Sequence, residues 1–284
     1  MLQSAIVVFD IDGVVRDVGG SYRRALADTV EHLTGGAWRP SPVEIDALKA
    51  EGVWNNDWEA SQELVYRYFE RVDGPPVLPL GEGIVRLAAA GRGGITIDYE
   101  RLVAFFQSRY RGTDPVNWNG YICQEPLLLE PSYLELLAAH DIAWGFFSGA
   151  TRGSAEYILE RRLGLQARVL GEMEDGAVKP GRRGLFQTCT RLEAEGAAFC
   201  PVFYVGDTVA DMYTIQRARE QQTERVWRAI GVLPPHAQTS DATSQVYAQQ
   251  LSEAGADAVF WNVQELTPER IGLLLAEAGL EAEA

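Results

Sequence analysis

Lysine is nearly missing from this chain. Of its 25 basic residues only Lys49 and Lys179 are lysines, so a bias toward arginine has passed over two positions. Cysteine is scarce as well. Cys123, Cys189 and Cys200 lie far apart, with no CxxC spacing and no clustered histidine, which argues against a disulfide framework or a zinc site and for a reducing interior. No apolar run approaches the roughly 20 residues of a membrane helix. The chain passes from Met1 into Ala5-Ile6-Val7-Val8-Phe9 without the basic segment and small-residue cleavage site of a secretory leader, so a cytoplasmic protein is expected. Positive charge is also short. The 40 Asp and Glu leave a formal charge of -15, whose field repels polyphosphate, so neither nucleic acid nor an anionic membrane is an expected partner. Repeats and low-complexity segments are absent.

What is present is an ordinary globular composition, with 46% hydrophobic and 10% aromatic residues in 284. At roughly 150 residues per domain, that length suits one large domain or two modest ones. Ala5 to Phe9 is a short apolar, β-branched run that stops at Asp10, as a strand buried on both faces does. Similar runs recur at Ile142 to Phe147, Pro201 to Val205, Val226 to Ile230 and Asp257 to Trp261, with a weaker one at Ala167 to Leu170. Helical patterns alternate with them at 132–140, 152–163, 184–195, 210–220, 243–254 and 267–276. This alternation predicts an α/β fold, a doubly wound parallel sheet built from residues 1–16 and 126–284. Residues 17–125 break the rhythm, with helical patterns at Tyr22-Leu33, Pro42-Lys49, Asp57-Val72, Gly83-Ala90 and Tyr99-Arg111 and no convincing strand between them. An all-α insert is expected there. Ser41-Pro42-Val43-Glu44 carries a capping box, and Asn56 with Glu59 a similar start signal.

Four places combine reactive side chains with strand ends. In Phe9-Asp10-Ile11-Asp12-Gly13 a buried strand ends in two carboxylates that strand alternation would put on one face. Held so close, they want a cation or a shared proton; a turn-forming Asp and Gly is the bland alternative. In Tyr204-Val205-Gly206-Asp207-Thr208-Val209-Ala210-Asp211 another buried strand ends in acid, and N-capping by Asp207 or Asp211 competes with a functional reading. Phe147-Ser148-Gly149 ends a third strand in a hydroxyl that could equally be a cap, and Lys179 is the only lysine of the sheet region.

In this order, Asp10-x-Asp12, Ser148, Lys179 and Asp207-x-x-x-Asp211 resemble the four motifs of the haloacid dehalogenase (HAD) superfamily, and the resemblance runs from the N-terminus to the final strand. It implies a helical cap of the first type for residues 17–125. It also implies that Asp10 is a nucleophile forming an aspartyl-phosphate and Asp12 a general acid and base. Mg2+ is then expected among Asp10, the backbone carbonyl of Asp12, Asp207 and, directly or through water, Asp211. Ser148 would bind a phosphoryl oxygen, and Lys179 would balance charge as a compact ammonium. Asp12 separates the chain from family members that cleave carbon–halogen bonds or phosphonoacetaldehyde, which lack that second Asp, and from cation pumps, which carry Thr there. A phosphatase acting on a small phosphorylated metabolite is the leading expectation. The alternatives are a phosphomutase or a catalytically silent metabolite-binding protein.

Substrate contacts are expected in or near the insert. Arg16, Arg23 and Arg24 could meet an anionic group, although solvated helix arginines are the plainer reading. Asn55 and Asn56, between Trp54 and Trp58, stand where the family often has a specificity loop, with an Asn N-cap as the equal alternative. Gly149 is a further candidate. Lys49 reads as the exposed end of a helix, and Gly91-Arg92-Gly93-Gly94 resembles a phosphate loop only superficially, since no buried strand is expected after it. The oligomeric state is not legible. Because a point charge and a planar fork differ, Lys179→Arg should fold normally and lose most activity. Equal melting temperatures with a rate at least about tenfold lower are expected, and full activity would remove the assigned role.

Overall fold

The computed structural model of the chain describes residues 5–49, 51, 53–54, 56–72, 81–86, 92–165, 181–197 and 199–282. Strand β1 (Ala5–Phe9) forms from five apolar residues, all buried. There follow α1 (Tyr22–Leu33), α2 (Pro42–Lys49), α3 (Asp57–Arg71), β2 (Ile84–Arg86), β3 (Ile95–Ile97), α4 (Tyr99–Tyr110), α5 (Pro131–Ala139) and β4 (Ile142–Phe146). Next, α6 (Arg152–Glu156) continues into a π-helical stretch, Tyr157–Arg162. The chain ends with α7 (Arg183–Ala194), β5 (Val202–Gly206), α8 (Val209–Gln221), β6 (Trp227–Val232), α9 (Asp241–Glu253), β7 (Ala258–Phe260) and α10 (Pro268–Ala282). The chain divides into two compact units, Met1–Asp17 with Pro126–Ala284, and Val18–Glu125.

The first unit is the expected α/β sheet. Five strands run parallel in the order β4-β1-β5-β6-β7. This is a doubly wound order whose switch point lies beside β1, and such sheets present their ligand crevice outside the carboxyl ends of the strands there. Register delivers three chain segments to that edge at one level. Phe9 stands opposite Phe146 on one side and Val205 on the other. The ladder continues one step past the strands, with Phe147 N–H on Phe9 C=O at 2.9 Å and Asp10 N–H on Val205 C=O at 2.8 Å. Beneath it, Ile6, Val8, Val202, Tyr204 and Ala229 of the strands pack with Leu185, Cys189, Met212 and Ile215 of α7 and α8. Burial of these side chains, at about 1.5–3 kcal/mol each, holds the edge residues in place. The weak strand expected at 167–170 lies outside the described residues.

In the second unit α1 packs on α3 and α4. Tyr22 stacks on Tyr110 at 4.4 Å between ring centroids, and His32 on Phe105 at 3.9 Å. The two ends of the unit are tied by the Ser21 hydroxyl, which donates to the buried Glu125 carboxylate. The expected capping box is formed, with Ser41 N–H on Glu44 Oε2 at 2.8 Å and Glu44 N–H on Ser41 Oγ at 3.3 Å.

The insert is nevertheless not all-α. Within the helix expected at Gly83–Ala90, Ile84–Arg86 instead pairs antiparallel with Ile95–Ile97, and 87–90 lie outside the described residues. β-Branched residues on both arms favour strands, and just before β3 Gly93 and Gly94 take φ of 62° and 73°, which side chains disfavour. The described part of the Gly-rich segment, Arg92–Gly94, is a short 3-10 turn, and it does precede a strand in which Ile95 and Ile97 are buried.

An arginine–glutamate network ties this hairpin to α3. Buried Glu63 accepts from Arg67 at 2.7 Å and Arg92 at 2.5 Å; Arg67 also grips both oxygens of Glu51 at 2.6 and 2.7 Å, and Arg92 reaches Glu70 at 2.8 Å. Hydrogen bonds from Arg67 and Trp54 pull the Glu51 carboxyl from 4.5 down to about 2. Burial raises that of Glu63, but the bonds from Arg92 and Arg67 outweigh it and hold it below its ordinary value. Groups depressed in the folded state contribute stability above their unfolded pKa and lose it as pH falls through the folded one. The network should therefore weaken between 4.5 and about 2. Melting temperature followed downward from about pH 6 should fall less steeply for Glu51→Gln/Glu63→Gln than for the parent. Parallel profiles would show that the network contributes nothing.

Candidate active site

Asp10 is the first residue past β1, and its Oδ1 accepts from Ile11 N–H at 2.7 Å, which sets its rotamer. The turn that follows depends on Gly13 at φ +78°, where a Cβ would lie 2.0 Å from Asp207 Oδ2. Asp207 follows β5, and its backbone carbonyl accepts from the Tyr247 hydroxyl of α9 at 2.9 Å. Asp211 sits in the first turn of α8. Asp10, Asp207 and Asp211 each bring a carboxylate oxygen within 4.8 Å of the others, all three residues being buried. Like charges this close and this dry disfavour joint ionisation unless a cation intervenes. An all-oxygen donor set suits a hard divalent ion such as Mg2+, so these residues fit the metal the motifs imply.

Asp211 has structural duties too. Its Oδ2 accepts from the Thr208 N–H at 3.0 Å and hydroxyl at 2.6 Å, and its Oδ1 from the Tyr204 hydroxyl at 3.0 Å. Neither Asp207 nor Asp211 is the helix N-cap. Thr208 is, and Asp211 is its partner in a capping box. With about four lone-pair positions on a carboxylate and three of them taken, Asp211 has at most one to give a ligand directly. Gly206 allows this packing, since a Cβ there would lie 2.3 Å from that of Asp211.

Ser148 is buried, and its Oγ accepts from Ala150 N–H at 3.2 Å; it does not cap α6, whose first turn follows Thr151. Gly149 is exposed, with open space around the position of a Cβ. Asp12 stands apart from the three clustered acids. Its Oδ1 accepts from Arg16 Nε and Nη2, each at 2.7 Å, and its side chain is 29% exposed where that of Arg16 is 0% exposed. Arg16 is therefore neither a solvated arginine nor turned outward to a ligand.

Other candidates are accounted for elsewhere. Arg23 pairs with Asp46 at 2.7 Å, Arg24 lies over the Tyr121 ring at 4.1 Å, and Lys49 pairs with Asp57 at 2.7 Å. Asn56 caps α3, accepting from the N–H groups of Trp58 and Glu59. Lys179 and Asn55 lie outside the described residues. Tyr204, Thr208 and Tyr247 were not singled out in the sequence. The Thr-x-x-Asp spacing could have revealed Thr208, whereas nothing local marks Tyr247 as a partner of Asp207.

The family profile for haloacid dehalogenase-like hydrolases matches residues 5–219. The chain belongs to that family. The chain is 26% identical over 276 residues to an imidazoleglycerol-phosphate dehydratase of Phytophthora nicotianae, a match covering 96% of this chain and 48% of the other. It thus spans about half the length of that relative. Among solved structures it is similar to phosphatase Tt82 of Thermococcus thioreducens, with TM-score 0.54, 21% identity, and 78% and 91% of the two chains covered. It is also similar to a β-phosphoglucomutase of Clostridium difficile, with TM-score 0.54, 12% identity, and 99% and 100% covered. Both likenesses are of fold. No described helix is long and apolar enough to cross a membrane.

Gly13 offers a direct test of the site's crowding. Gly13→Ala meets both a positive φ and the Asp207 carboxylate, so it should cost about 1–2 kcal/mol of stability. It should also lower the rate by about 10²-fold through displacement of Asp207. Unchanged kinetics would mean that the acid cluster tolerates a shifted Asp207.

Proposed function

We propose that this protein is a magnesium-dependent phosphomonoesterase for a small phosphorylated metabolite. The observation that carries the proposal is the buried three-carboxylate cluster at the switch point of the sheet, with Asp12 beside it in a separate, part-exposed setting. In this reading the Asp10 carboxylate attacks phosphorus, the bond to the leaving alcohol oxygen breaks, and Asp12 gives that oxygen its proton. Water then attacks the aspartyl-phosphate, Asp12 takes its proton, and Asp10 is restored with release of phosphate. Bound among Asp10, the Asp12 carbonyl, Asp207 and Asp211, Mg2+ would supply positive charge opposite both nucleophile and phosphoryl oxygens. Ser148 donates to a phosphoryl oxygen, and Lys179 balances charge as the motif resemblance implies.

The Val18–Glu125 unit takes the part of a cap that selects the substrate. A cytoplasmic setting suits the three cysteines, all free.

The test is phosphate release from an aryl phosphate and from a panel of phosphate monoesters ranked by kcat/KM. The Phytophthora relative is named for imidazoleglycerol phosphate, itself such an ester, so that compound belongs in the panel. Activity should require Mg2+, vanish in EDTA, and fall at least about 10³-fold in Asp10→Asn. Full activity of Asp10→Asn would sink the mechanism. Interconversion of a hexose phosphate in the presence of its bisphosphate, without phosphate release, would identify a phosphomutase. Correct folding with no turnover of any ester would favour a binding protein.

A further inference from the structure

We infer that Arg16 is a positioning residue that aims the Asp12 carboxyl group at the leaving-group oxygen; the inference rests on the reading of Asp12 as general acid. Arg16 is completely buried in a loop whose neighbours Ile11, Val14 and Val15 are also completely buried. A guanidinium there is costly to desolvate, and an apolar side chain would fill such a place at lower cost, so packing alone gives no reason for an arginine. Its charge is met on the spot. Nε and Nη2 both donate to one oxygen, Asp12 Oδ1, at 2.7 Å. No described residue hydrogen-bonds the other oxygen, Oδ2, and the carboxylate is the only exposed member of the pair.

The backbone holds the arginine as firmly as the arginine holds the carboxylate. Arg16 C=O accepts from Gly13 N–H at 2.9 Å, and Arg16 N–H donates to Ile11 C=O at 3.1 Å. On the far side the returning chain is tied down by Leu128 N–H on Val15 C=O at 2.8 Å and Asp17 N–H on Pro126 C=O at 2.9 Å. A planar fork fixed at its base holds Oδ1 from two directions in a way a mobile ammonium cannot. Oδ2 is left as the oxygen whose proton passes to the departing alkoxide as the P–O bond breaks.

Aim of this kind matters only where the leaving group needs a proton. An alkyl phosphate expels a strongly basic alkoxide, whereas a nitrophenyl phosphate expels a stable anion without help. With Mg2+ present, the rate of alcohol or nitrophenol release in a single turnover, which reads the first step before Asp12 acts on water, is measured for both esters in the parent, Arg16→Lys, Asp12→Asn and the double variant. Arg16→Lys should lose about 10²-fold on the alkyl ester and less than about threefold on the aryl ester. Asp12→Asn should show the same selectivity, and the double variant should lose no more than Asp12→Asn alone.

The ratio of the two rates within one sample cancels any loss of folded protein, so a destabilised variant still decides the matter. Should Arg16→Lys not fold at all, Arg16→Gln replaces it with the same expectation. Equal loss on both esters, or additive losses in the double variant, overturns the positioning role and leaves the phosphatase reading standing. A parent that releases phosphate from neither ester overturns the phosphatase reading and this inference with it. An active parent whose Asp12→Asn loses equally on both esters overturns Asp12 as the acid.

Discussion

Three carboxylates in a dry place are the constraint around which this structure is arranged. Asp10, Asp207 and Asp211 repel one another at the edge of a buried sheet, and each would be better solvated if the chain moved aside. What prevents this is the apolar sheet beneath them. β1 and β5 are buried along their whole length, and their register leaves no freedom in where the next residue emerges. The hydrophobic core thus imposes an electrostatic problem, and a hard divalent cation is its simplest solution.

The loops around the cluster keep it tight. Gly13 passes where a methyl group would collide with Asp207, and Gly206 where one would collide with Asp211. Thr208 and Tyr204 fix Asp211 through hydrogen bonds that also start α8. A single residue therefore serves both helix initiation and the acid cluster, and its two readings are not exclusive. Asp12, only two positions from Asp10, has a different environment, with its own buried arginine and a face to solvent.

The inserted unit meets charge in another way. Its acids are answered pairwise by arginines, in the Glu51–Arg67–Glu63–Arg92–Glu70 chain and in the Asp28 site that receives Arg39 and Arg109. Planar guanidinium groups can bridge two carboxylates at once, which accounts for how a chain so poor in lysine builds such networks. The global charge of -15 consequently says little about local fields, either in this unit or at the sheet edge.

Strands of the sheet unit and helix starts of the inserted unit were legible in the sequence because both are local. An apolar run ending in acid announces a buried strand, and a Ser-x-x-Glu or Asn-x-x-Glu spacing announces a helix start. The β2–β3 pair was misread as a helix at Gly83–Ala90 because its arms are only three residues long and their pairing joins residues distant in the chain, which no local pattern records. The order of acids, hydroxyl and lysine along the chain pointed to the family by itself. Which acids gather and which stands apart was decided by tertiary structure alone. Asp10 and Asp12 share a motif yet part company, because the turn at Gly13 carries Asp12 to Arg16 while the register of β1 against β5 carries Asp10 to Asp207. Chain proximity sets what can be near, and the packed sheet sets what is.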